Sequence, residues 1–441
     1  MRVGSLPRLG AGVLVGGLVM AIPSVLSAQT RSATQGAGST TFARDIAPIF
    51  QEKCEACHRP GSMAPMSLIT YQEVRPWVRA IKTRVANREM PPWHLDKTVG
   101  IQKFRNDRSL TDEQINTIVK WVDLGAPLGN ANDMPSPKQW PSGDRFELEA
   151  VLGPPDLVVK GQPWTMPAQA QDFTLQGVAI DIPQAEGRYV RASETKPSLA
   201  GRRITHHSTT HLLEPEIDPN DPSAPLFTEW AQGKGGEIYP EGTGKLIKPG
   251  TKVRFDSHYH AVGEEVTNTM ELAWWFYPTG VTPKYQPVFM ALGSIRDLQI
   301  PPDTITQHVG SFTLPEPAML HNFQPHMHYR GKAFRLEAIY PDGRREVLNY
   351  VDRYNNAWHI NYIYAEDAAP VFPKGTVLQI TAWHDNTAAN KNNPDHRQWV
   401  SGGGRTVDEM AHANTQLIYI SEDDYKRISE ERKNAATTQN D

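Results

Sequence analysis

Residues 334–350, FRLEAIYPDGRREVLNY, show the pattern that decides the fold class of most of this 441-residue chain. Two strand-like runs, Phe334–Tyr340 and Glu346–Tyr350, flank the turn residues Pro341-Asp342-Gly343, which predicts a β-hairpin. The same texture continues over residues 156–425, where turn residues separate short runs of this kind. Examples are Lys252–His258, Glu271–Tyr277, Val377–Trp383 and Gln416–Ile420. This pattern predicts two all-β sandwiches, over residues 156–285 and 286–425, followed by a charged tail over 426–441.

Before residue 131 the apolar residues follow the spacing of a helix instead. Thr111 followed three residues later by Gln114 is a capping-box signature, which predicts the start of a helix. Apolar residues at helical spacing precede it, namely Phe42, Ile46, Ile49, Phe50, Val74, Trp77, Val78 and Ile81. These features predict a small all-α domain over residues 41–130, and a proline-rich linker over 131–155.

The N-terminus has the order typical of a signal peptide. Arg2 and Arg8 precede an apolar run that ends at the small residues Ser27 and Ala28. A membrane anchor is disfavoured because the run is short and contains glycines and Pro23. We therefore expect residues 1–28 to be cleaved, residues 29–40 to form a flexible leader, and the mature protein to be periplasmic or secreted rather than integral to a membrane.

Composition limits the classes of partner. Charged residues make up 21% of the chain and the formal charge is −4, so the protein lacks the basic field that binds nucleic acid. The two cysteines, Cys54 and Cys57, lie too close together to supply a disulfide scaffold for a chain of this length. We therefore expect them to serve a local chemistry.

Residues 54–58, CEACH, form a C-x-x-C-H motif, which is typical of covalently bound haem c. In such a motif the thiols of Cys54 and Cys57 bond to the haem vinyl groups and His58 ligates the iron. A thioredoxin-like dithiol is the alternative, but it requires a βαβ pattern that the surrounding sequence lacks, and it leaves His58 without a role. The segment is similar to a class I cytochrome c over residues 41–130.

A methionine is the expected sixth ligand of such a haem. We predict Met90, because the two prolines that follow it hold this residue in a rigid loop. Met63 and Met66 are the alternatives. His94, next to the same loop, is expected at the surface.

Histidines cluster in three places of the β region, His206-His207 with His211, His258-Tyr259-His260, and His326-Met327-His328. Positions i and i+2 of a strand share one face, so an H-x-H segment can offer two imidazoles to one metal. The adjacent residues His206 and His207 would face opposite sides of a regular strand, so their joint ligation requires a bulge or a loop.

Zinc hydrolysis is a rival interpretation of the first cluster, since His207 and His211 have the spacing of a helical H-E-x-x-H motif. Ser208 stands where that motif has its general-base Glu, however, and the surroundings predict strands. Imidazoles combined with a thioether favour copper, in both of its oxidation states.

Residues 156–425 resemble the type II copper monooxygenases, the family of peptidylglycine α-hydroxylating monooxygenase and dopamine β-monooxygenase. Four segments carry the resemblance, in the family's order: Ile204-Thr205-His206-His207, Ser257-His258-Tyr259-His260, Pro325-His326-Met327-His328-Tyr329-Arg330-Gly331-Lys332 and Asp408-Glu409-Met410. The resemblance implies two jelly-roll-like copper domains. It further implies one copper held by His206, His207 and His258, with His260 as the alternative to His258. A second copper, where O2 reacts, would be held by His326, His328 and Met410.

The resemblance and the haem motif together imply an exported monooxygenase that hydroxylates a C–H bond of a small-molecule substrate with O2. Electrons would pass from haem c to the His-only copper and on to the His/Met copper, with ascorbate or an exported redox protein as the reductant. The alternative is a non-catalytic electron-transfer or copper-binding protein. No ligand role is assigned to four other histidines, His211, His321, His384 and His412.

Overall fold

The structure, a computed structural model, describes residues 39–140, 142–183 and 186–438. β-strands predominate and helices are few, which confirms the mainly β fold class expected for the larger part of the chain. Residues from Thr40 onward belong to one unit by their contacts. Among the described residues, no helix combines the length and the apolar character needed to cross a bilayer. The predicted signal peptide and most of the predicted leader lie outside the described residues.

The described residues contain six α-helices, five of them before the first strand. They are α1 Ala47–Lys53, α2 Tyr71–Val74, α3 Val78–Ala86, α4 Asp112–Asp123, α5 Glu149–Leu152 and α6 Glu422–Thr438. The capping box predicted for α4 is confirmed, because Thr111 Oγ1 accepts the Gln114 N–H and Gln114 Oε1 accepts the Thr111 N–H. The early helices enclose an apolar core that includes Phe42, Ile118 and Trp121.

Residues 157–276 form two facing antiparallel sheets and a small two-stranded one. The strands are β1 Leu157–Lys160, β2 Trp164–Met166, β3 Phe173–Gln176, β4 Ile180–Asp181, β5 Arg188–Pro197, β6 Thr205–Leu213, β7 Leu226–Ala231, β8 Glu237–Ile238, β9 Lys245–Ile247, β10 Lys252–Tyr259, β11 Val266–Asn268 and β12 Met270–Phe276. One sheet has the order β1-β12-β5-β8 with β9 also on β5, the other β3-β10-β6-β7 with β4 on β10, and β2 pairs with β11. Both large sheets contribute to one core, for example Trp274 from β12 and Phe255 from β10.

Residues 287–419 repeat this layout. The strands are β13 Pro287–Leu292, β14 Gln299–Ile300, β15 Ile305–Thr313, β16 Ala318–Leu320, β17 Asn322–His326, β18 Gly331–Ile339, β19 Arg345–Val351, β20 Tyr362–Ile363, β21 Val371–Phe372, β22 Val377–Asp385, β23 Val400–Ser401 and β24 His412–Tyr419. The sheets have the orders β20-β17-β24-β16-β21, with β13 on β24, and β15-β22-β18-β19, and β14 pairs with β23. The predicted hairpin is confirmed as β18 and β19, with Gly343 at a φ of 85° in its turn.

The segment between α3 and α4 packs into the core of the second pair of sheets. Leu95 forms a bridge with Val351, and the ring centroid of Phe104 lies 5.2 Å from that of Tyr364. His94, in this segment, is buried, so its expected surface position is wrong. The helical periodicity of residues 41–130 does not predict the contact of this segment with the second pair of sheets, because the segment has no regular secondary structure.

Candidate metal centre

A β-bulge brings the first histidine pair onto one side of its strand. In the antiparallel pairing of β6 with β10, His207 lies opposite His258, whereas the next pair is Thr205 with Tyr259. His206 is therefore the extra residue, and this is the irregularity that joint ligation by two adjacent histidines requires. Ligand nitrogens of His206, His207 and His258 all lie within 4.8 Å of one another.

His258, rather than His260, completes this group of three. Its side chain is 4% exposed, and its Nε2 lies 3.2 Å from an oxygen of Asp172. The same carboxylate oxygen accepts a hydrogen bond of 2.8 Å from Thr406 Oγ1. A carboxylate bound to one ring nitrogen orients an imidazole and leaves its other nitrogen for a metal. His260 lies beyond the end of β10, where its backbone N–H donates to the carbonyl of Ile204.

The second pair of sheets contributes His326 and His328. His326 ends β17 opposite His412 on β24, and these two rings stack with centroids 4.7 Å apart. The ring of His328 lies 5.3 Å from that of His326. Nδ1 of His328 is 3.0 Å from the carbonyl oxygen of Asp408, which leaves Nε2 available to a metal.

The predicted thioether residue lies in a segment held against His328. The buried carboxylate of Glu409 accepts the backbone N–H groups of His328 and Arg330, at 2.9 and 2.6 Å. The carbonyl of Met410 lies 3.2 Å from Nε2 of His384, and Met410 itself is half-buried. The described contacts thus place the backbone of Met410 near the histidine pair, but they include none between its sulfur and either ring.

His359 is a member of the site that the sequence did not reveal. Its ring centroid lies 5.5 Å from that of His206, 5.8 Å from that of His207 and 4.8 Å from that of His326. It is a single histidine without a histidine at i+1 or i+2, and it lies outside any strand. Paired spacing was the signal that identified the other histidines, so nothing in the pattern marked this one.

Seven imidazoles among the described residues therefore form one group, which we name the imidazole cluster. Each ring centroid lies within 6.0 Å of at least one other. The members are His206, His207, His258, His326, His328, His359 and His412. The first three come from one pair of sheets, and the others come from the second pair or its connecting segments.

Burial keeps several of these imidazoles neutral. It lowers the pKa of His206 and of His412 to about 4, and it lowers the pKa of His207, His326 and His359 well below the usual 6.5. Neighbouring imidazoles lower these pKa values further, because two cations so close together repel each other. A neutral ring is the form that binds a metal ion, so the cluster is ready to ligate at neutral pH.

The histidines to which no ligand role was assigned differ in their contacts. His211 contacts the carbonyl of Ala224 through one ring nitrogen, and Thr209 and Asp256 through the other. Both ring nitrogens of His384 also have partners. Nε2 of His321 is buried without a hydrogen-bond partner among the described residues, yet no ring contact joins it to the cluster.

The C-x-x-C-H segment follows α1 directly. Cys54 and Cys57 are not joined in a disulfide, and burial together with the nearby Cys57 raises the pKa of the Cys54 thiol to about 12. Nδ1 of His58 lies 3.2 Å from the carbonyl oxygen of Met66. Met90 is half-buried, and its backbone N–H donates to the carbonyl of Arg84.

Comparisons with known proteins do not identify a family. No protein-family model matches the chain, and no curated protein matches it. Similar solved structures include the major capsid protein P2 of bacteriophage PM2, with 9% identity over 60% of this chain and 97% of that one, at a TM-score of 0.27. The structure of infectious bursal disease virus Gx strain matches at 8% identity over 60% and 72%, with a TM-score of 0.17. An oxalate decarboxylase variant of Bacillus subtilis matches at 8% over 57% and 68%, with a TM-score of 0.13.

Proposed function

We propose that this protein is an exported copper- and haem-dependent monooxygenase that hydroxylates a C–H bond of a small-molecule substrate with O2. The observation that supports it most is the convergence of imidazoles from segments that are distant in sequence. His207, from the first pair of sheets, and His326, from the second, have ring centroids 6.0 Å apart. Separate structural histidines have no need to gather in this way, whereas a metal centre requires it.

The donor set of the cluster fits copper. Four buried Nδ1 atoms of the cluster have no hydrogen-bond partner among the described residues, namely those of His206, His207, His326 and His359. Buried polar groups are nearly always paired, so four such atoms in one cluster indicate a ligand that accepts their lone pairs. Imidazole suits both copper and zinc, and the nearby Met410 favours copper. Copper bound there would supply the one-electron chemistry by which O2 is activated.

Neighbouring residues orient the proposed ligands. Asp172 fixes the ring of His258, and the carbonyl of Asp408 fixes that of His328. Glu409 binds the backbone on both sides of Tyr329, so the loop after β17 and the Met410 segment are held as one unit. These contacts keep the ligand geometry rigid, which a redox site needs if the metal is to change oxidation state without large movement.

The helical segment would hold the haem, covalently through Cys54 and Cys57 and through His58 as a ligand of the iron. The contact of His58 Nδ1 with the Met66 carbonyl is the kind that leaves Nε2 for iron. This contact also puts the Met66 backbone on the side of the His58 ring away from Nε2, which disfavours Met66 as the second side-chain ligand of the iron. We therefore keep Met90 as the proposed sixth ligand. A haem c at this position would supply electrons one at a time.

The test is oxygen insertion by the full chain, matured in an export host with haem and copper. The protein is reduced by ascorbate without air and then given 18O2 together with one of two test compounds. These are dopamine and a peptide that ends in glycine, the compounds from which the two resembling enzymes take their names. Product carrying 18O, formed by the wild type and absent with His326→Ala, would support the proposal. Failure of the wild type to retain copper would contradict it. Reoxidation by 18O2 without labelled product from either compound would favour the electron-transfer alternative.

A further inference from the structure

His359 lies between the two groups of imidazoles that the resemblance assigns to separate copper ions. Its ring contacts His206 and His207 on one side and His326 on the other, at centroid distances of 4.8 to 5.8 Å. Along this path the two groups are therefore connected by imidazole rings alone. The resemblance gives neither ion a ligand at this position.

The ring of His359 has the same features as the predicted ligands. The residue is 3% exposed, and its Nδ1 has no hydrogen-bond partner among the described residues, as is true of His206, His207 and His326. Two buried histidines outside the cluster have a different environment, since both ring nitrogens of His211 and of His384 have partners. Leaving a buried nitrogen unpaired is unfavourable, and a bound metal ion would remove this cost.

The backbone at His359 is held by both pairs of sheets. Its N–H donates to the carbonyl of Gln232, just after β7, and its carbonyl accepts from Gln324 of β17. Gln324 also donates to the buried carboxylate of Glu229 on β7, and Asn414 of β24 donates to the same carboxylate. The position of His359 between the two groups is therefore fixed by contacts that cross from one pair of sheets to the other.

We propose that His359 is a metal ligand that joins the two groups into one continuous site, so that two copper ions are held next to each other. This inference rests on the proposed function for the identity of the metal. It differs from what the resemblance implies, namely two mononuclear sites with three protein ligands each. Because the ring of His359 contacts both groups, a metal ion bound through one of its nitrogens would make binding of the two ions interdependent.

Copper titration and electron paramagnetic resonance of the full-length, haem-containing protein test the proposal without an activity measurement. Cu2+ is added to the wild type, to His359→Gln and to His321→Gln, and bound copper is counted by metal analysis. His321 is the matched control, because it is also buried with an unpaired nitrogen but lies outside the cluster. His359→Asn replaces His359→Gln if the latter does not fold, as judged by circular dichroism.

For the wild type we expect a copper signal whose integrated intensity is below the copper counted, because adjacent Cu2+ ions couple magnetically. His359→Gln should weaken binding of at least one ion by roughly 10-fold or more, since loss of a ligand's hydrogen-bond partner alone has an effect of that size. His321→Gln should match the wild type. Full, additive signals from two isolated ions in the wild type, or unchanged affinity in His359→Gln, would overturn the inference and leave the proposed function intact. A wild type that binds no copper would contradict both.

Discussion

His207 and His258 lie directly opposite each other on β6 and β10, and their ring centroids are 5.2 Å apart. Because they face each other across an antiparallel pair, the hydrogen-bond ladder of the sheet sets their separation. The bulge at His206 then adds a third ring to the same side. This part of the cluster is therefore built on a rigid sheet, and the loss of one ring should affect metal binding more than folding.

His207→Ala should remove one copper ion of the two expected, because the remaining pair is a weaker site. Copper counted after competition with a Cu+ chelator measures this. His211→Ala, on the same strand, is the control. It should retain both ions but destabilise the fold by about 1–3 kcal/mol, since Asp256 and the Ala224 carbonyl lose a partner. Equal copper content in both variants would contradict the assignment of His207.

Glu229 and Gln324 should be energetically coupled across the two pairs of sheets. Both are buried, and Gln324 donates to the carboxylate of Glu229. We expect Gln324→Ala to lower the free energy of unfolding by about 1–3 kcal/mol, because the carboxylate loses a buried partner. A double-mutant cycle with Glu229→Gln, followed by chemical denaturation, should give a coupling energy of about 0.5–3 kcal/mol. Strict additivity would show that this contact does not couple the two pairs of sheets.

Glu194 should make stability fall as the pH rises. Burial and the nearby Glu147 raise the pKa of this carboxyl from 4.5 to about 8, despite two backbone N–H groups that donate to it. The folded state therefore holds the proton more tightly than the unfolded state. The contribution of Glu194 to stability is greatest below pH 4.5 and decreases up to about pH 8, by as much as about 1.4 kcal/mol per pH unit.

Denaturation of the wild type and of Glu194→Gln at pH 5, 6, 7 and 8 measures this effect. The difference between the two proteins should change steadily with pH, in the direction that disfavours the wild type at high pH. Glu73→Gln is the control, because hydrogen bonds donated by Thr70 lower the pKa of Glu73 and keep this carboxylate charged throughout the range. A pH-independent difference for Glu194→Gln would contradict the raised pKa.

Much of the fold and part of the site were predictable from sequence, for reasons that are local. The hairpin of β18 and β19 depends on alternation and turn chemistry, and the strand and turn residues at 334–350 specify both. The need for a bulge at His206 also follows from sequence, because adjacent residues of a regular strand face opposite sides and could not both bind one metal. In contrast, His359 has no paired neighbour, and Phe104 lies in an irregular segment, so only tertiary packing reveals either position.

Met90 should be distinguishable from Met66 by spectroscopy of the haem. In Met90→Ala the sixth ligand is lost, so we expect loss of the sulfur-to-iron charge-transfer absorption and a fall in reduction potential. Met66→Ala should leave both unchanged, because its backbone lies on the Nδ1 side of His58. Visible absorption and redox titration give the two readouts. The opposite result would transfer the ligand role to Met66.

Met410 should be needed for oxygen insertion but not for haem attachment. Its segment is held beside His328 by Glu409, so removal of the thioether changes the proposed oxygen-reactive ion and leaves the His206 group in place. Met410→Ala and His326→Ala should each lower substrate-dependent O2 uptake by about 10- to 100-fold or more, with unchanged haem absorption. Met319→Ala is the control, because Met319 packs against the core of the second pair of sheets away from the cluster. It should cost stability and retain activity. Full oxygenation by both Met410→Ala and His326→Ala would refute the catalytic role assigned to this pair, even if both variants bind copper.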